Sequence, residues 1–449
     1  MSKPDLSHPP IPFSATLAVW IKIGLLSFGG PTGQIALMHR ELVERRRWIS
    51  DSRFLHALNF CMILPGPEAQ QLAIYTGWLL QRTLGAVIAG VLFVLPGALL
   101  IGAIGYAYMA YGDVPAMEAI FYGLKPAVLA VVAAAVIRMG KKILHNAVLW
   151  AITACAFIGI FFLNLPFPLI VLSALAFGFA GSTLRPEWFS TNGVHGSYGE
   201  TGTTEDAGYL ISDTTAVTAR PETVKTIGTI ALWALIWTVP LLLALVFLGR
   251  GHLLTEQALF FARAALVTFG GAYAVLPYVA QQAVETHGWI TATQMVDGLG
   301  LAETTPGPLI LVLQFVGFVG GWQNPGELSP LVMALLAASI TTWMTFVPGF
   351  LFILAGAPYV ESTRGHLRLK TALTAVTAAV IGVVLNLAVW FGWHVFWIEE
   401  KGLDYLSMVL AIVFFILIQK WKIDVLWVVL IGAACGLILH LGIQPLFAG

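Results

Sequence analysis

Thirteen apolar runs follow one another along the chain, at residues 14–30, 57–80, 84–110, 118–137, 147–163, 165–181, 227–248, 257–284, 296–320, 331–356, 371–395, 403–418 and 424–442. Each is near the roughly 20 residues that an α-helix needs to cross a bilayer. Inside hydrocarbon every backbone N–H and C=O must be paired within a helix or a closed barrel, which leaves two architectures open. The runs are continuous and do not alternate apolar with polar residues, which argues against a transmembrane β-barrel. The sequence therefore predicts an all-α polytopic membrane protein whose surroundings are the lipid bilayer. Charge usage agrees: Asp, Glu, Lys and Arg make up 10% of the residues, against about 25% in a soluble domain. The 23 basic residues balance the 23 acidic ones, so no basic excess points to nucleic acid. Cys61, Cys155 and Cys435 stand alone, without metal-ligand spacing or a disulfide framework, and neither metal nor cofactor is expected. Lys22 interrupts the first run and no basic leader precedes it, so a cleaved signal peptide is not expected.

The two ends of the chain repeat one another. Phe28-Gly29-Gly30 recurs as Phe269-Gly270-Gly271, Trp48-Ile49 as Trp289-Ile290, and Pro65-Gly66-Pro67 as Pro306-Gly307-Pro308, all 241 positions apart. Lys22 matches Arg263, Ser27 matches Thr268 and Glu44 matches Glu285 in the same register. Beyond that the register slips, with Pro96-Gly97 answering Pro348-Gly349 and Leu124-Lys125 answering Leu369-Lys370. Such self-similarity is the mark of a duplicated transporter fold. The expected organisation is a first repeat at 1–181, a polar linker at 182–226, an unpaired connecting helix at 227–248 and a second repeat at 249–449.

Charge orients the repeats. Arg40, Arg45, Arg46, Arg47 and Arg53 lie between the first Phe-Gly-Gly and Pro-Gly-Pro motifs; their counterparts are Gln281, Thr286, His287, Gly288 and Gln294. Cytoplasmic loops are enriched in Lys and Arg, so the first connector is expected inside and the second outside, as in inverted repeats. A consistent topology makes 14–42 and 54–80 re-entrant hairpins. It then puts the N-terminus, Arg82, Arg138–Lys142, the linker, Arg364–Lys370 and Lys420–Lys422 inside. Asp113, Glu118, Glu399, Glu400 and the C-terminus fall outside. The rival arrangement makes all thirteen runs full spans. Broken backbone at membrane depth is tolerated where it lines a cavity, which favours the hairpins.

The motifs carry the chemistry. Proline breaks a helix and Gly66 and Gly307 permit a tight bend, so each triad ends one half-helix and starts another, with Pro67 or Pro308 expected at the first helical position. The new helix offers free N–H groups and the positive end of its dipole, which suit an anion. A plain kink is the competing reading. Nearby Gln70, Gln71, Thr304, Thr305 and Gln314 can donate to oxyanion oxygens. Glu68 and Glu303 cannot when ionised; they are candidate proton carriers, partners of Lys22 and Arg263, or simple helix caps. Gly29, Gly30, Gly270 and Gly271 mark chain reversals whose N–H groups can attract an anion, with Thr32, Gln34 and Tyr273 close by, or else mark close helix packing. Lys22 and Arg263 each lie six residues before Phe-Gly-Gly, about 9 Å along a helix. A cation at mid-helix costs about 2.5–3.5 kcal/mol on insertion scales. Two cations facing half-helix N-termini would neutralise a divalent oxyanion; snorkelling to an interface is the alternative. The candidate substrate-binding set also includes Ser27 and Thr268.

The stretches FGGPTGQIALMHRELVERRRWIS and LPGPEAQQLAIYTGW, with FGGAYAVLPYVAQQAVETHGWI and TTPGPLILVLQ in the second half, resemble the chromate ion transporter family in its long two-domain form. The likeness spans almost the whole chain. It implies a multi-pass protein of the bacterial inner membrane that exports chromate, driven by membrane potential or a proton gradient, and so confers resistance. Family members often carry histidine a few residues after Phe-Gly-Gly-Pro, where this chain has Gln34. Sulfate, a dianion of similar shape, is the alternative substrate, and a homodimer is the open assembly state. Metalloprotease, nucleophile-elbow and Walker motifs are missing from the sequence, which argues against an enzyme and against an ATP-driven pump.

Overall fold

The computed structural model describes residues 11–112, 114–184, 209–212, 222–360, 367–398 and 402–439. Expectations that concern Asp113, Arg364, Glu399, Glu400 and most of the 182–226 linker lie outside the described residues. The described chain is almost entirely helical. In the first half it runs α1 (Phe13–Leu26), α2 (Gly30–His39), α3 (Asp51–Cys61), α4 (Glu68–Tyr111), α5 (Pro115–Ile143), α6 (Ala147–Phe161) and α7 (Phe167–Leu184). After α8 (Thr223–Leu248) come α9 (Leu253–Val267), α10 (Ala272–Ala280), α11 (Ala292–Thr304), α12 (Val312–Gln323), α13 (Pro330–Val360), α14 (Leu367–Phe396), α15 (Tyr405–Gln419) and α16 (Val425–Leu437). Five of these helices are long and apolar enough to cross a membrane: α4, α5, α8, α13 and α14. Shorter apolar helices complete an all-α polytopic membrane protein. A short antiparallel ladder, β1 (Trp397–Ile398) with β2 (Gly402–Leu403), joins α14 to α15; the sequence reading had no signal for it.

The order of elements before α8 returns after it, down to small irregularities. α2 runs into a π-helical turn at Arg40–Arg45, and α10 into another at Gln281–Thr286, in the 241-residue register. Both end alike. Trp48 N–H donates to Leu42 O and Trp289 N–H to Ala283 O, each at 2.8 Å. Above Trp48 lies the Arg46 guanidinium, 5.0 Å from the ring centroid, while the His287 ring stacks on Trp289 at 4.3 Å.

α4 is two limbs. Gln81 and Arg82 leave the helical region, with Arg82 at φ +56°, and the 68–80 limb folds back on the 83–111 limb. Gly77 and Gly85 make the approach possible, since a Cβ on either would strike the other's carbonyl oxygen. The 68–80 limb is buried along nearly its whole length, so the half-helix behind the first Pro-Gly-Pro lies inside protein rather than in lipid. α13, by contrast, follows α12 across a separate loop. Ala244 is the one buried residue of α8, which leans on α13 through Trp343 Nε1–H to Ile236 O (3.0 Å) and Trp237 Nε1–H to Met344 O (3.1 Å).

Gln81 Nε2 donates to Ile11 O at 3.4 Å, which puts the bend of α4 beside the start of α1. The arginine connector is tied to the piece of linker that is described. Ser50 N–H donates to Ile211 O (2.9 Å), Leu210 N–H to Arg47 O (3.0 Å) and Arg53 Nη1 to Ser212 O (2.8 Å). The linker is thus docked on the connector at 209–212, which its polar composition did not foretell. At the far end of α4, Gly112 and Glu118 share a cavity with Gln294, in the first turn of α11.

Candidate functional site

All six glycines of the Phe-Gly-Gly and Pro-Gly-Pro motifs have positive φ: Gly29 +83°, Gly30 +66°, Gly66 +120°, Gly270 +82°, Gly271 +97° and Gly307 +103°. Such backbone is open to glycine and strained for other residues. It turns α1 into α2 and α9 into α10, and it breaks α3 from α4 and α11 from α12. The predicted reversals and breaks are therefore present. One detail differs: Pro67 and Pro308 are caps in extended conformation, one residue before the helical turns that begin at Glu68 and Leu309. Proline fits there because the chain before Glu68 has to stay extended to leave the glycine bend.

The bends of the two halves exchange partners. Gly66 N–H donates to Thr268 O at 2.8 Å, and Gly307 N–H donates to Ser27 O at 2.9 Å. Each Pro-Gly-Pro loop is thus hydrogen-bonded to the residue before the other half's Phe-Gly-Gly. Ser27 Oγ also accepts from Gly307 N–H, at 3.1 Å. The second matched pair of motifs completes the exchange. A Cβ on Gly97 would strike Pro306 O, and one on Gly349 would come within 3.0 Å of Gln70 Oε1. So the helical Pro-Gly of each half is the surface against which the other half's broken helix lies. Pro96-Gly97 and Pro348-Gly349 were legible as a repeat, but their part in the crossing was not.

Polar side chains close both crossings. Gln34 Nε2 donates to Gly307 O (2.6 Å) and Ser27 O (3.3 Å). Gln71 Nε2 donates to Pro65 O (2.6 Å), Gln70 Nε2 to Phe346 O (3.3 Å) and Gln314 Nε2 to Ala98 O (2.7 Å). The amide oxygens of all four glutamines are buried without a hydrogen-bond partner among the described residues. Glu68 lies at the Gly66–Thr268 crossing, its Oε1 3.8 Å from where a Cβ on Gly271 would stand. Glu303 is buried and accepts from the hydroxyl of Tyr273, in the first turn of α10. The hydroxyls of Ser27, Thr268, Thr304 and Thr305 donate to carbonyls one turn back in their own helices, whereas Thr32 is exposed. Gly66, Pro67, Gly307 and Pro308 are buried.

The two cations are not drawn into the crossing. Lys22 Nζ lies 2.5 Å from Glu41 Oε1, where Arg45 Nη1 (3.3 Å) and Arg46 Nε (3.8 Å) also approach the same carboxylate. Glu41 is 3% exposed and Lys22 35%, so the ammonium reaches back along the hairpin toward the arginine connector. Arg263 is exposed and within electrostatic reach of Tyr278 on α10. Glu41 was missed as the partner of Lys22 because 19 residues and a chain reversal separate them; no helical spacing points to such a pair. The first-turn N–H groups of α2, α10 and the 68–80 limb have no intrahelical acceptor, as at any helix start. They are the donors the site can offer to oxygen-rich solutes, since most side-chain donors are already used.

A family described as chromate transporter matches residues 15–180 and 255–437, the stretches on either side of the linker and α8. The chromate transport protein of Pseudomonas aeruginosa is 33% identical over 389 residues, 84% of this chain and 80% of that protein. The chromate transport protein of Cupriavidus metallidurans is 27% identical over 411 residues, 90% of this chain and 87% of that protein. The uncharacterized transporter YwrB of Bacillus subtilis is 28% identical over 172 residues, which is 37% of this chain but 86% of that protein. No solved structure matches the chain. Matched by the family on both sides of its linker and by a relative 33% identical over 84% of its length, this multi-pass membrane protein belongs to the chromate transporter family.

Proposed function

We propose that the chain is a secondary active transporter that carries chromate outward across the bacterial inner membrane and so confers resistance to it. The observation that carries this reading is the exchange of Pro-Gly-Pro loops, Gly66 N–H to Thr268 O and Gly307 N–H to Ser27 O. It gathers the N-termini of broken helices at two matched crossings, where helix dipoles and unpaired N–H groups favour an anion. Oxyanion binding is assigned to the backbone at Gly29, Gly30, Gly66, Pro67, Gly270, Gly271, Gly307 and Pro308. Ser27, Thr32, Gln34, Gln70, Gln71, Thr268, Thr304 and Thr305 surround it, and Lys22 and Arg263 supply positive charge along the two hairpins. Glu68 and Glu303 are the proposed proton carriers, one beside each broken helix.

Inversion of the halves is part of the proposal. It is supported by the first connector's attachment to 209–212 and by the second connector's place beside Gly112 and Glu118, at the end of α4 away from the bend that meets Ile11. Alternating access would then require each crossing to part in turn.

Transport into inside-out membrane vesicles tests the function. Chromate accumulation that depends on an imposed gradient and collapses with an uncoupler is the expected result. Sulfate accumulation with unchanged chromate would replace the substrate assigned here. Glu68→Gln and Glu303→Gln are expected to keep binding while weakening the dependence of flux on pH; full pH dependence in both would remove them as carriers.

A further inference from the structure

A cavity of about 540 Å³ lies away from the crossings, between the end of α4, the start of α5 and the first turns of α11. Tyr108, Glu118, Tyr122, Lys125, Gln294 and Asp297 bring their polar groups to it. Asp297 is 2% exposed. Its Oδ2 accepts from the Tyr108 hydroxyl at 2.9 Å, and its Oδ1 is buried with no hydrogen-bond partner among the described residues. A carboxylate with one oxygen left unsatisfied inside a membrane protein is an expensive group, and such groups mark ion or proton pathways. The sequence reading passed over it, because its counterpart in the first half is His56 and no motif surrounds it.

From this geometry we infer that Asp297 is a proton-binding site, loaded from the cavity, on the path that leads along α11 to Glu303. The inference deepens the transport reading and rests on it for its role in flux. Of the groups facing Asp297, Tyr108 on α4 supplies one hydrogen bond, and Lys125 on α5 acts on it as a nearby cation. Glu118 and Tyr122 line the same cavity from α5, and Tyr122 is held by Asp404 at 2.9 Å. α12 presents Phe315 to the adjacent Gly298, an apolar contact. Glu303, six residues on and about 9 Å further along α11, answers instead to Tyr273, Arg138 and Asp424.

A single unsatisfied oxygen in a cavity that a lysine also lines makes a poor seat for a metal cation, which needs several oxygen ligands and no competing positive charge. A proton needs one oxygen. Water in the cavity delivers H⁺ to Oδ1; the carboxylate becomes a neutral carboxyl, and one negative charge near Lys125 is removed. Each protonation therefore raises the charge of the cavity wall by one, and a dianion in the cavity responds to that change.

Infrared difference spectra of the purified full-length protein in nanodiscs, taken between acidic and neutral buffer, test this without any substrate. The protonated-carboxyl stretch of the wild type is expected to lose one component in Asp297→Asn, with the contributions of Glu68 and Glu303 remaining, and to keep that component in Glu303→Gln. A band unchanged in Asp297→Asn overturns the inference. If Asp297→Asn fails to fold, Asp297→Glu decides: a displaced band supports the site and an unmoved band removes it. Chromate flux in proteoliposomes at clamped potential should lose its pH dependence in Asp297→Asn and regain it, with a displaced midpoint, in Asp297→Glu. Wild-type pH dependence in Asp297→Asn refutes the role in transport. Wild-type protein that moves no chromate strikes the transport reading instead and leaves the infrared result standing.

Discussion

Gly97→Ala isolates the crossing from every local effect. Gly97 is inside the second limb of α4, in ordinary helical conformation. Alanine is the better helix former there by about 0.8–1.0 kcal/mol, so local physics predicts stabilisation. The tertiary structure predicts the reverse. The new methyl would strike the Pro306 carbonyl oxygen and come within 2.6 Å of Leu311 Cδ1. That carbonyl is not free to retreat, because the next residue, Gly307, has its N–H held by Ser27 O at 2.9 Å and Ser27 Oγ at 3.1 Å. Overpacking of this kind costs about 1–3 kcal/mol. A rigid backbone contact belongs at the upper end of that range, so the net loss is roughly 1–2 kcal/mol after the helix gain. Two glycines calibrate the experiment. At Gly349 a Cβ meets the flexible end of Gln70 at 3.0 Å, and at Gly228 on α8 it meets nothing within 4 Å. Thermal unfolding of the purified variants should rank Gly228→Ala above the wild type or level with it, Gly349→Ala below, and Gly97→Ala lowest. Chromate flux should fall in the same order. Gly97→Ala as stable and as active as Gly228→Ala would refute the packing of one half's helix against the other half's loop.

The two crossings should also differ in their dependence on side chains. Ser27→Ala removes one of the two acceptors of Gly307 N–H and should cost about 0.5–1.5 kcal/mol with a matching loss of flux. Thr268→Ala should do less, because Gly66 N–H uses only the backbone oxygen of Thr268. Lys22→Ala and Arg263→Ala are each expected to abolish chromate resistance while the protein still reaches the membrane; wild-type resistance in both would remove the cations from the site. For Lys22→Ala the stability loss should be small, on the order of 1 kcal/mol, since Lys22 is a third exposed and Arg45 and Arg46 remain near Glu41. The stability of Lys22→Ala/Glu41→Gln should return to wild type while resistance does not. Arg53→Ala loses the bond to Ser212 O, and amide exchange at Ser50 and Ile211 should quicken; unchanged protection there would mean the linker is held by something else.

The sequence could reveal what glycine and proline do to backbone, because their conformational demands are local. Positive φ at Gly29, Gly66, Gly270 and Gly307 is visible in the residue type, and repetition at one register separates these bends from accidental ones. Apolar run length likewise carries the all-α membrane fold. Long-range pairings are a different matter. Which loop each bend would meet depends on how two halves pack, and nothing in Pro65-Gly66-Pro67 names Thr268 as its partner. The two hydrogen bonds cross about 200 and 280 residues. Lys22 illustrates the same limit. Its place in an apolar run was plain, but its direction depends on Glu41, across a reversal. Asp297 and Tyr108 were hidden for a further reason: they break the repeat, and a search for matched positions discards what only one half contains. The π-helical turns at Arg40–Arg45 and Gln281–Thr286 have no composition of their own and emerge only from hydrogen bonding.

The orientation of the halves can be measured at one pair of equivalent positions. Arg46 and His287 stand in the same 241-residue register, are both exposed, and each lies on the ring of its own half's tryptophan. In a variant without Cys61, Cys155 and Cys435, a single cysteine is placed at one position or the other and challenged with a membrane-impermeant maleimide in intact cells and in inside-out vesicles. Inverted halves predict that Arg46→Cys reacts only in the vesicles and His287→Cys only in the cells. Reaction of both from the same side would contradict the account.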